Sequence, residues 1–148
     1  MQNKIRFSIL AALALVPLLV GCGDGRPPMV EVKGKVTHKG APLKFGSVFF
    51  TPTSSSAVDT PVGVIQDDGT FEMQVKLRNS KVWKGAPLGE YKVSITCFES
   101  QNPNYKPPTD AEPMVGKSLI PQKYTQPDES GLTVVVKEGM EPLTFDLE

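Results

Sequence analysis

Histidine and cysteine are nearly absent from this chain: one histidine, His38, and two cysteines, Cys22 and Cys97, stand in 148 residues. A Ser-His-Asp hydrolase would depend wholly on His38, and no G-x-S-x-G elbow occurs to present a nucleophile. Zinc sites draw on several Cys or His ligands, which this composition does not supply. Long apolar runs are missing too. The longest, Phe7 to Val20, is fourteen residues with Ser8 inside it, against about 20 for a bilayer-spanning helix. Charge of one sign is not in excess, since 16 basic residues meet 16 acidic ones, and no basic stripe suggests a nucleic-acid partner. Gly116-Lys117-Ser118 has the ending of a phosphate loop, but Ala111 occupies the position of its first glycine and Pro113 interrupts it. Asp59, Asp67 and Asp68 lack the regular ligand spacing of a calcium loop. These gaps leave no cofactor or metal to expect and argue against an enzyme.

What is present starts with an address. Lys4 and Arg6 form a positive region, the short apolar core follows, and small residues end it, as in an export signal. Leu19-Val20-Gly21-Cys22 resembles the bacterial lipobox. That resemblance implies cleavage before Cys22, a diacylglycerol thioether on its sulfur and acylation (palmitate) of its new amino group. Two or more chains hold a protein stably at a bilayer, at about 0.8 kcal/mol per buried CH₂. The alternative is an ordinary secretory signal with a cysteine at its end. The expected organisation is a signal over 1–21, a lipidated tether over 22–29 and one domain over 30–148. The mature chain would be exported and anchored to the membrane through Cys22, facing periplasm or surface. It would keep 14 basic and 16 acidic residues, because the signal holds two basic residues and no acidic one. With Cys22 acylated, Cys97 has no disulfide partner, so hydrophobic burial must hold the domain unaided.

Period-2 alternation dominates that domain. Val30, Val32 and Val36 share one face of the first strand. Val48 and Phe50 point one way from "KFGSVFFTP", Phe45 and Phe49 the other. "DDG" marks a hairpin before "TFEMQVKL", where Phe71, Met73, Val75 and Leu77 alternate with polar residues. "EYKVSITC" places Tyr91, Val93, Ile95 and Cys97 together, and "LTVVVK" and "LTFDL" supply the last two strands. Seven strands among 13 glycines and 14 prolines, with no amphipathic helix, predict an all-β, antiparallel β-sandwich. A closed barrel is the alternative. Phe71, Tyr91, Val93, Ile95, Val134 and Phe145 are the expected core. Cys97 falls on the inward phase of its strand, as an inert thiol, and His38 is expected exposed at a strand end. The Glu99 to Gly131 stretch, with prolines at 103, 107, 108, 113, 121 and 127, is long for a connection and therefore a place for function or disorder.

Taken in order, "VKGKVTHKGAPLKFGSVFFTP", "DDGTFEM", "PLGEYKVSI" and "LIPQKYTQPDESGLTVVVKEGMEPLTFDL" resemble the carboxypeptidase regulatory-like (transthyretin-like) domains of small planctomycete lipoproteins. The resemblance covers about residues 30–148 together with the lipobox. It implies a seven-strand Greek-key sandwich of prealbumin or immunoglobulin-like type, without enzymatic activity. Gly34, Asp68, Gly69, Gly89 and Tyr91 then have structural roles. The functional expectation is a membrane-anchored structural or interaction module of the envelope. A second possibility is a peptide- or carbohydrate-binding protein using the loop aromatics Trp83, Tyr105 and Tyr124, with an envelope protein or glycan as partner. An enzyme with an unrecognised site comes third.

Overall fold

The strand Thr70–Lys76 alternates buried and exposed without a break, Phe71, Met73 and Val75 inward and Glu72, Gln74 and Lys76 outward. Its neighbours do the same around one core, so the sheet they form must curl. The computed structural model describes residues 27–54, 59–76, 81–106 and 116–148. Its strands are β1 (Met29–Val30), β2 (Lys33–His38), β3 (Ala41–Pro42), β4 (Ser47–Pro52), β5 (Val62–Val64), β6 (Thr70–Lys76), β7 (Val82–Lys84), β8 (Ala86–Pro87), β9 (Gly89–Thr96), β10 (Leu132–Val136) and β11 (Leu143–Leu147). Cys22 lies outside the described residues, as do Leu77 and the signal segment.

The fold is all-β. Seven strands run edge to edge in the order β10-β9-β4-β5-β6-β2-β11, bent into a half-barrel, with β3 on β2, β7 on β6 and a separate β1–β8 pair. All seven correspond to runs legible in the sequence. Pairing departs from a wholly antiparallel arrangement at one place: β11 runs parallel to β2, Leu143 opposite Gly34 and Leu147 opposite His38. Both chain segments therefore enter this side of the sheet in the same direction, which the local pattern of neither strand encodes. The sheet is not closed into a barrel, because β10 and β11 are not paired with each other.

All six expected core residues are buried, within a cluster that also takes in Val32, Val36, Val48, Phe50, Met73 and Leu147. Phe71 stacks on Phe145 with ring centroids 6.0 Å apart. Gly34 permits this: a Cβ there would stand 2.5 Å from Phe71 Cζ and 2.6 Å from the Leu143 carbonyl oxygen. The "DDG" hairpin is a three-residue connection. Gly69 N donates to Gln66 O and Gln66 N to Thr70 O, with Gly69 in the left-handed region at φ +84°. Tyr91 buries its ring and donates its hydroxyl to Pro87 O at 2.9 Å, tying the start of β9 to β8. Burial raises the Tyr91 phenol above its ordinary value.

The proline-rich stretch is partly built into the body. Short 3₁₀ turns occupy Glu99–Gln101 and Gln122–Thr125, and Phe98 bridges Ser118. Its last third lies against β9: Lys92 pairs with Asp128 at 2.6 Å, and Ser130 Oγ donates to Val93 O at 2.5 Å.

Candidate functional site

Of the three aromatics singled out, the structure makes Tyr124 a core residue. It is 5% exposed, and its hydroxyl accepts a hydrogen bond from Glu148 N at 3.2 Å, just beyond the end of β11. Its ring therefore belongs to packing between the 3₁₀ turn Gln122–Thr125 and the final strand, not to an exposed patch. Trp83 is in the short strand β7, opposite Val75, and is half-buried; the expected loop from Arg78 to Gly89 contains β7 and β8. Tyr105 is half-buried too, its N–H donating to Asn102 O. The Asn102–Asn104 turn shares a groove with Asp67, at the Thr70 end of β6, whereas Trp83 pairs at the Val75 end. Five residues of strand separate those ends, about 17 Å at ~3.3 Å per residue. The three rings do not form one surface.

The other sequence candidates have local explanations. His38 is only half-exposed, since parallel β11 covers the end of β2 and Lys39 N donates to Leu147 O. Its Nε2 is buried without a hydrogen-bond partner among the described residues, so no described hydroxyl is paired with that nitrogen. Cys97 is buried and free, and burial pushes its thiol up, away from thiolate reactivity. The Asp68 carboxylate accepts from Thr70 Oγ1 at 2.6 Å and Thr70 N at 3.0 Å, and those bonds hold it below the ordinary carboxylate range. No group of three or more potential metal ligands forms among the described residues.

Several concave places mark the described surface, and two of them approach 500 Å³. One lies along the seam between the unpaired edges of β10 and β11, about 480 Å³, its lining apolar at Val134, Val135, Met140 and Leu143 and charged at Lys137 and Glu141. The other, about 490 Å³, is lined by Lys44, Phe45, Asp67, Asn102, Pro103 and Asn104. Three distant segments meet there: the approach to β4, the tip of the β5–β6 hairpin and the turn after Glu99–Gln101.

That second groove has braced walls. Gln101 holds the turn to the sheet by donating from Nε2 to Thr96 Oγ1 (3.2 Å) and Ser47 Oγ (3.4 Å), while its Oε1 accepts from Phe98 N (2.7 Å). Asn102 Oδ1 accepts from Asn104 N at 2.9 Å and fixes the turn's tip. On the opposite wall Gly46 lies so close to β9 that a Cβ would collide with the Thr96 carbonyl oxygen, while Ile65 N donates to Gly46 O. Phe45 packs partly on the core beneath. Sequence reading assigned Phe45 only to a strand face and passed over Lys44, Asn102 and Asn104. Their spacing along the chain carries no motif; only the long-range fold assembles them. No family model, curated protein or solved structure matches the chain.

Proposed function

We propose that this chain is a non-catalytic, lipid-anchored module of the cell envelope, held to the membrane through acylated Cys22 and presenting its β-domain as an interaction surface. The observation that carries the reading is the distance from the lipobox to the fold. The first pairing among the described residues is Met29 opposite Pro87 in β8, and six residues separate Cys22 from that strand in the sequence. Fully extended, such a tether spans about 20–25 Å at ~3.3–3.6 Å per residue. A domain on so short a tether acts within the first layers above the bilayer. The same reading takes the curled sheet as a prealbumin-like Greek-key sandwich, with β10-β9-β4 and β6-β2-β11 as its two halves and the three-residue β5 crossing between them, in line with a carboxypeptidase regulatory-like lipoprotein. A single histidine whose Nε2 meets no nucleophile among the described residues favours a binding role over a catalytic one.

Metabolic labelling with palmitate and detergent-phase partitioning test the anchor. Wild type should incorporate label and enter the detergent phase, and Cys22→Ser should do neither. Unchanged partitioning of Cys22→Ser would leave an ordinary secreted protein.

A further inference from the structure

We infer that the groove between the β4 approach and the Asn102–Asn104 turn binds a neutral, polyhydroxylated ligand of the short-oligosaccharide class. Its polar equipment is balanced. Lys44 brings three donors, Asp67 two acceptor oxygens, Asn104 a carboxamide with both, and Asn102 its remaining Nδ2 donors. Lys44 and Asp67 line one groove, yet neither takes part in an ion pair with another described residue. An anion entering here would meet Asp67, and a cation would meet Lys44. A ligand whose every hydroxyl both donates and accepts satisfies both without bringing a charge of its own.

The apolar part of the lining fits the same chemistry. Phe45 and Pro103 offer flat, non-polar surface, which suits the C–H face of a pyranose ring while its hydroxyl rim reaches the amides and charges. The volume of about 490 Å³ lies inside the ~300–1,000 Å³ range of small-ligand clefts. The bracing by Gln101, Gly46 and the Asn102 cap means little ordering is left to be done on binding, which favours even a modest set of contacts. An extended peptide is a poorer match, because the groove is lined by side chains and a turn and not by a free strand edge. None of this rests on the membrane anchor.

The test uses the full chain, solubilised in a detergent with no sugar headgroup. It is titrated with maltotriose, cellotriose, xylotriose, mannotriose and chitotriose, and with N-acetyl-trialanine amide and inorganic phosphate as ligands of other chemistry. Saturation-transfer NMR reads contact and calorimetry reads affinity. At least one neutral trisaccharide should bind, and Asp67→Ala and Asn104→Ala should each weaken it about fivefold or more, the scale of one net hydrogen bond. Lys137→Ala, in the other groove, should leave binding unchanged. Melting temperatures separate lost binding from lost fold, and Asp67→Asn replaces the alanine variant if that one melts early. Absence of binding by every trisaccharide at millimolar concentration, binding indifferent to all the groove variants, or preference for the peptide or phosphate would overturn the inference.

Discussion

Replacing Phe71 by alanine probes the centre of the fold. The ring is 1% exposed, stacks on Phe145 and is bordered by two glycines: Gly34, whose absent Cβ makes room for Cζ, and Gly63, where a Cβ would stand 2.9 Å from Phe71 Cδ2. Phe→Ala in a core costs about 3–5 kcal/mol, more where the site cannot collapse. Here the two nearest walls have no side chain to swing into the void, and the hydrogen-bonded strands on either side resist moving inward. The upper end, about 4–5 kcal/mol, is therefore expected. Against a typical stability of about 5–15 kcal/mol, the variant is left marginal. A domain of this size loses roughly 3–4 °C per kcal/mol, so the melting temperature should fall by about 12–20 °C. Equilibrium unfolding in urea, with an unchanged m-value, gives the free energy directly. Phe71→Leu, which keeps most of the volume, should cost only about 1–2 kcal/mol. A loss below about 1 kcal/mol for Phe71→Ala would refute the burial assignment and the glycine-lined cavity with it.

Two further outcomes follow from single buried groups. Tyr124→Phe keeps the ring and removes the acceptor for Glu148 N, so urea unfolding should show about 1 kcal/mol lost, and Tyr124→Ala should cost about 3–5 kcal/mol; equal losses in the two variants would show that the ring contributes nothing. Cys97 is raised by burial, so the unfolded chain ionises its thiol first as pH rises: its contribution is complete below about pH 8.5 and declines above it. Cys97→Ala should remove part of the alkaline loss of stability, and a wild-type thiol alkylated as fast in the folded protein as in urea would contradict its burial.

Much of this architecture is legible in the sequence because burial on one face writes itself as period 2. The run Thr70–Lys76 and the inward set Tyr91, Val93 and Ile95 were readable for that reason, and Asp68-Gly69 marked the hairpin by its backbone demand. Three features were not legible, each for a physical cause. The parallel β2–β11 contact joins residues more than a hundred apart, and nothing local to either strand specifies its direction. Strands β7 and β8, of three and two residues, are too short to show a period, so Trp83 read as a loop residue. Tyr124 stands in a proline-rich stretch whose burial depends on the sheet's open side. The groove shares this last difficulty, since Lys44, Asp67 and Asn104 converge only after β4, β5 and β6 have paired.

That open side explains why so long a connection is kept. A curled sheet whose outer strands do not pair leaves a seam into its core, and β10 covers β9 only from Gly89 to Val93. The 3₁₀ turn Gln122–Thr125 also packs against β9, and its Tyr124 reaches across to the end of β11. Upstream, Leu119 N donates to Cys97 O and Glu99 N to Lys117 O, which ties the same stretch to the base of the Asn102–Asn104 turn. One irregular segment thus seals the core at one end and supports a wall of the groove at the other. Stability and the groove's shape are linked through it. Loosening Tyr124 therefore reaches residues that no local reading of that tyrosine would connect to it.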